Sequence, residues 1–122
     1  LSASVLVSLG FSKDGFSETF SNQQTAVMSV AGYSVRTPTL GTSASAISTA
    51  NLSSAGLTFL RSMVTTTQAT CTITFGRLVD GTLHPVVSLR PNESAVFRLA
   101  AGDYGAIAAA AGYRLQVAVL EG

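Results

Sequence analysis

Few groups in this 122-residue chain could do chemistry, because only 11% of its residues are charged and it has a single His and a single Cys. A hydroxyl or thiol nucleophile needs a base within hydrogen-bond reach, and His84 is the only imidazole on offer. Ser88 follows it by four residues on the same face of an extended strand. That spacing separates the two by roughly 13 Å, too far for a hydrogen bond. His84, which precedes Pro85, is therefore read as a structural or surface residue. The six carboxylates, Asp14, Glu18, Asp80, Glu93, Asp103 and Glu121, nowhere form a close pair along the chain. Neither a glycosidase dyad nor a carboxylate cation cage is indicated. Cys71 has no partner for an internal disulfide and stands between Thr70 and Thr72 in an alternating run, the setting of a small core residue. Cys/His metal spacing and a Gly-rich phosphate cradle are both missing. Asn92-Glu93-Ser94 matches a glycosylation acceptor in form, but a turn accounts for the Asn. The chain has no Trp, and its three tyrosines, Tyr33, Tyr104 and Tyr113, would make a sugar or ligand platform only by converging on one exposed concavity. No catalytic, cofactor-binding or metal-binding residue emerges, and an enzyme is the class least supported.

Composition points to packing among neighbours. Hydrophobic residues make up 47% of the chain, and 16 Ser and 14 Thr supply most of the polarity. Hydroxyls rather than charges must then keep the surface wet. Six Arg stand against one Lys, Lys13. Arg persists in interfaces because its planar fork is weakly hydrated and pairs carboxylates bidentately, whereas Lys is depleted there. The net charge of +1 and the scattered arginines argue against a nucleic-acid partner, which requires clustered cations. No apolar run approaches the roughly 18 residues of a membrane span, and Leu1 to Leu9 lacks the basic start and cleavage site of a signal peptide. The chain reads as a soluble single domain over residues 1–122.

Period-two patterning fills most of the chain. The stretch Thr82 to Ala100 reads as its central hairpin: two apolar runs flank Arg90-Pro91-Asn92-Glu93, where Pro presets φ and Asn tolerates the left-handed region. Val5, Val7, Leu9 and Phe11 alternate with small or polar residues, Lys13-Asp14-Gly15 supplies a turn, and Phe16 to Phe20 returns as a short arm. Gln24 to Ala31 reads as a further strand. Residues 33–54 are small and polar, with Val35, Leu40, Ile47 and Leu52 as the only apolar anchors. They are expected to run over the surface as an arm or long loop holding one short strand at Ser43 to Ser48, and either ordered against a neighbouring subunit or simply mobile. Leu57, Phe59 and Arg61 share one face of the next strand, opposite Thr58, Leu60 and Ser62. After a Thr-rich turn at Val64 to Gln68, Cys71, Ile73 and Phe75 face away from a ladder of Thr70, Thr72 and Thr74. Asp80-Gly81 marks another hairpin turn, and Pro85 places the strand after it at an edge or a bulge. Tyr104 to Ala111 is too short between glycines to nucleate a helix and reads as a strand. Tyr113 to Leu120 closes the chain as a long strand. The expected fold is all-β: an antiparallel β-sandwich, jelly-roll-like, or a small barrel of about eight to ten short strands.

Residues 56 to 62, GLTFLRS, the segment Leu89-Arg90-Pro91-Asn92-Glu93-Ser94-Ala95-Val96-Phe97-Arg98-Leu99, an Ala-rich strand and an apolar strand ending in Leu120-Glu121 together resemble small β-rich virion proteins of tailed bacteriophages. In those proteins a glycine-aromatic strand ending in "RN" precedes an "LKPGE-A-FRL" hairpin. The likeness covers about residues 56 to 121, and Phe11-Ser12-Lys13-Asp14-Gly15 fits more loosely. Ser62 stands where Asn is usual, Arg90 where Lys is usual and Asn92 where Gly is usual. The last two changes preserve charge and turn competence.

The resemblance implies a non-enzymatic structural component of the virion, first of all a capsid decoration or cement protein spanning junctions between coat subunits. A tail, neck or fibre-associated protein is the runner-up, and a ligand- or receptor-binding β-sandwich is the alternative from another class. Its partners would be the major capsid protein or other virion proteins, with further copies of the chain in a homo-oligomer, a trimer first. It would need no cofactor, nucleic acid or membrane. The candidate subunit contacts are Arg36, Arg61, Arg90, Glu93 and Arg98.

Overall fold

A computed structural model describes residues 2–27, 32–48, 55–65, 68 and 70–121. Among them the chain is all-β, with eleven strands, antiparallel pairing throughout and no closed barrel. Among the described residues, strands β1 (Ser2–Lys13) and β2 (Phe16–Val27) pair only with each other. A second sheet has the order β3 (Tyr33–Arg36), β11 (Tyr113–Glu121), β6 (Ala55–Ser62), β9 (Ser94–Arg98), with the two-residue β4 (Thr39–Leu40) also on β11. The third has the order β5 (Ser45–Ile47), β10 (Tyr104–Ala108), β7 (Ile73–Val79), β8 (Thr82–Leu89).

The four-stranded and five-stranded layers face each other across one core. Leu40, Leu60, Leu115, Val117 and Val119 come from the β3-β11-β6-β9 side, and Ile47, Ile73, Phe75, Leu89, Tyr104, Ala106 and Ala108 from the other. Alternation places them there, since a period of two sends every second residue of β6, β7 and β11 inward. Burying a Leu or Phe contributes about 2 kcal/mol, so the apolar core is the main source of cohesion. Phe75 sits at its centre, stacked on Tyr104 at 5.6 Å between ring centroids and tilted against Phe97 at 5.8 Å. Thr58 and Ser62 also point inward. Thr58 Oγ1 donates to the Gly56 carbonyl at 3.2 Å, and Ser62 Oγ accepts from the Val64 amide at 3.4 Å, so neither hydroxyl is left unpaired.

The turn chemistry is as the sequence implies. Asp14-Gly15 and Asp80-Gly81 both have positive φ at the two central positions (51° and 81°, 50° and 78°), the geometry of a two-residue hairpin loop. Strand β8 is an edge, and its register on β7 slips at Pro85: Phe75 pairs with Val87 and Gly76 with Pro85, leaving Val86 as the extra residue. Proline has no amide for a ladder and is accommodated at both features.

Four expectations need correction. Thr82 to Ala100 is not a hairpin, because β8 pairs with β7 in one layer and β9 with β6 in the other. The turn between them crosses the sandwich. The Glu93 amide donates to the Arg90 carbonyl at 3.1 Å, the Glu93 carboxylate accepts from the Arg90 amide at 2.9 Å, and Asn92 sits at φ 61°. Turn residues specify the local bend but not whether the strands beyond it pair with each other. Glu93→Ala removes one of these reciprocal bonds at an exposed site, and urea unfolding is expected to show a loss of about 1 kcal/mol.

The segment 33–54 is not one surface loop with one strand. Its described part supplies β3, β4 and β5, and passes from one layer to the other between Leu40 and Ser45. Its anchors explain this: Leu40 and Ile47 are both buried, each in the core between the layers. Val35 is exposed, and Leu52 lies outside the described residues. Next, Phe16 to Phe20 is not a short arm. Strand β2 runs unbroken from Phe16 to Val27; the remainder of the expected Gln24 to Ala31 strand, residues 28–31, lies outside the described residues, as does part of the Thr-rich turn. Finally, His84 and Ser88 do not share a face. The Val86 bulge sets them opposite Arg77 and Thr74, which lie on opposite sides of β7.

Candidate functional site

Alternation on β6, β9 and β11 leaves a second, outward face on the β3-β11-β6-β9 layer, and this face is unusually apolar. Register aligns Val96, Phe59, Ala118 and Val35 in one row across four strands. The adjoining row reads Ser94, Arg61 and Gln116. Ser94, Val96, Phe59, Arg61, Gln116 and Ala118 line a shallow groove there. On the other side of the apolar row, Leu57 is opposite Arg98, and Leu120 is opposite Tyr33. Val35, Val96 and Tyr33 are exposed. An exposed apolar patch rimmed by polar groups marks an interaction surface.

The β1-β2 ribbon begins on this same face. Val5 is buried against Leu57, with Val7, Phe59 and Leu120 packed around them. Beyond that foot the ribbon has no neighbouring strand among the described residues, although twelve residue pairs join its own two strands. At about 3.4 Å per residue it is roughly 40 Å long. Leu6 and Phe20 are exposed on it, at 66% and 59%. An isolated two-stranded ribbon is marginally stable in water, so a long one with exposed apolar side chains is suited to being covered.

The candidate contact residues fall into two groups. Arg61 and Arg98 are exposed on the outer face, on either side of the Phe59–Val96 pair. Arg90 and Glu93 are exposed at the layer-crossing turn, where the Glu93 carboxylate is already engaged by the Arg90 amide. Arg36 is exposed at the end of β3, apart from both. The β1-β2 ribbon was not among the predicted contacts. The signal was present in its length of alternating sequence, but alternation alone does not say whether a hairpin joins a larger sheet.

The tyrosines do not converge. Tyr104 is buried and donates its hydroxyl to the Ala100 carbonyl at 2.6 Å, Tyr33 is 70% exposed on the outer layer, and Tyr113 is half-buried near Cys71. The three-tyrosine platform is therefore not formed. Cys71 is buried and lies 3.9 Å from Gln68 Oε1, as expected of a core thiol. Its hydrogen bond to Tyr113 holds the phenol above its ordinary pKa of 10.0, with burial and the nearby thiol charge as lesser causes. A folded-state pKa raised in this way stabilises the fold fully below the ordinary value, and the contribution is lost as pH climbs past it. Thermal melts from about pH 8 to about pH 11 are expected to fall less steeply for Tyr113→Phe than for the parent.

His84 is exposed on the edge strand β8. Among the described residues, no three His, Cys, Asp or Glu side chains come together as metal ligands, and no helix is long and apolar enough to cross a membrane. Comparison with protein-family models, curated proteins and solved structures found no match to this chain.

Proposed function

We propose that the chain is a non-enzymatic structural protein of a bacteriophage particle, acting as a decoration or cement protein on the capsid surface. The observation that carries this reading is the outer face of the β3-β11-β6-β9 layer: an apolar row across four strands flanked by Arg61 and Arg98. It agrees in kind with the resemblance of residues 56 to 121 to small phage virion proteins. The resemblance names the particle, and the exposed face gives the chain a surface with which to hold on to neighbours. Cementing needs no reaction. Each copy buries apolar area at about 25 cal/mol per Å² between coat subunits, and many modest contacts act together. Arginines at the rim fix register and select acidic partners, while the apolar row supplies most of the free energy.

The test compares particles carrying the chain with particles assembled without it. Release of packaged DNA on heating is expected at a lower temperature in the depleted particles, and adding back purified chain restores the original value. Identical release temperatures, with no uptake of added chain, would refute a cementing role.

A further inference from the structure

We infer that the β1-β2 ribbon of one copy docks in the outer-face groove of a second copy, so that the chain assembles by passing arms. This inference rests on the reading of the outer face as an assembly surface, and it identifies the occupant of that face.

Three observations select a second copy. The first is spacing. On the ribbon Phe20 and Glu18 are two residues apart on one strand and share a face; on the receiving sheet Phe59 and Arg61 are likewise two apart on β6. Both separations are about 6.8 Å, so Phe20 can meet the Phe59 row while Glu18 meets Arg61. Val96 and Ala118 flank Phe59, and Ser94 and Gln116 flank Arg61, so the apolar and polar rows stay in step across three strands.

The second observation is continuity. The foot of the ribbon already packs on this sheet through Val5, Leu57, Val7, Phe59 and Leu120. A docked arm extends an existing apolar seam along the same face. The third is charge. Asp14 and Glu18 outnumber Lys13 on the ribbon, whereas on the rest of the chain six arginines outnumber Asp80, Glu93, Asp103 and Glu121. Unlike copies of a uniformly basic surface, arm and body attract.

Each copy gives one arm and receives one: two copies that swap arms share one two-fold interface, and a heterologous series closes into a ring when the rotation between copies permits. One face of a ribbon this long covers on the order of 400 Å², and where two copies exchange arms reciprocally both contacts fall in one interface, near the roughly 800 Å² per partner of a stable one.

The test uses the pure chain alone, so its failure leaves the particle reading to stand or fall separately. Light scattering after size exclusion, at about 50 μM loaded chain, is expected to give a whole-number multiple of the 12.5 kDa monomer for the parent. Arg61→Glu weakens the assembly at least tenfold and shifts the mass to 12.5 kDa, and Glu18→Arg does the same. The double variant Glu18→Arg with Arg61→Glu recovers the parental mass. Circular dichroism of each variant confirms folding, which exposed sites should tolerate. A parent that stays at 12.5 kDa overturns the inference. So does a multimer that both single substitutions leave intact, or a double variant that remains dissociated.

Discussion

Replacing Phe75 by alanine is expected to lower the unfolding free energy by about 4 kcal/mol, the largest effect of any single truncation in the sandwich. The side chain is 1% exposed and reaches across the space between the layers, against Tyr104 on its own sheet and Phe97 beside the other. Its removal costs the transfer free energy of a benzyl group and opens a cavity that two rigid sheets cannot close. Aromatic contact adds about 1 kcal/mol to that loss. Phe75→Leu keeps much of the volume and is expected to lose about half as much. Urea titration followed by circular dichroism measures both. A loss below about 1 kcal/mol for Phe75→Ala would mean that the two layers do not pack on this ring.

Gly76→Ala comes next, at about 3 kcal/mol, for the opposite reason. A methyl group at this position would collide with the carbonyl of His84 and lie within 3.0 Å of the Pro85 Cα. The bulge at Val86 brings these backbones together, and backbone cannot swing aside as a long side chain can. Relief would require the β7-β8 register to slip, which turns side chains over. Gly41→Ala is the control. Nothing lies within 4 Å of its added methyl and its φ is not in the left-handed region, so its stability is expected to stay within about 0.5 kcal/mol of the parent. Thermal melting resolves the pair, with a drop on the order of 10 °C for Gly76→Ala and almost none for Gly41→Ala.

These two neighbours show what could and could not be read from the chain. The inward position of Phe75 follows from alternation with Thr74, and the edge and bulge at β8 follow from Pro85, because both are local consequences of backbone chemistry. The close approach at Gly76 depends on which strand lies alongside, and no local signal carries that. The same division explains the turn at Arg90 to Glu93. Its bend and its left-handed Asn92 were legible, yet the partners of β8 and β9 are set by the burial of Leu89 and Phe97 in a shared core rather than by the turn. Residues 33–54 misled in a related way. Their small polar composition suggests a loop, but Leu40 and Ile47 are enough to draw short strands into both layers. At the candidate site, the sequence put Arg61 on the face of Leu57 and Phe59 and Arg98 on the face of Val96, but which faces are external, and the apolar row they share, appear only when four strands are placed in register.

The central claim is that this chain belongs to an assembled particle, and the most direct measurement is its copy number in purified phage particles from its source, by quantitative mass spectrometry against the coat protein. A decoration protein predicts a fixed ratio to coat protein, with hundreds of copies per particle, retained through repeated density-gradient purification. Particles that contain no trace of the chain, while infected cells hold it in quantity, would contradict the account.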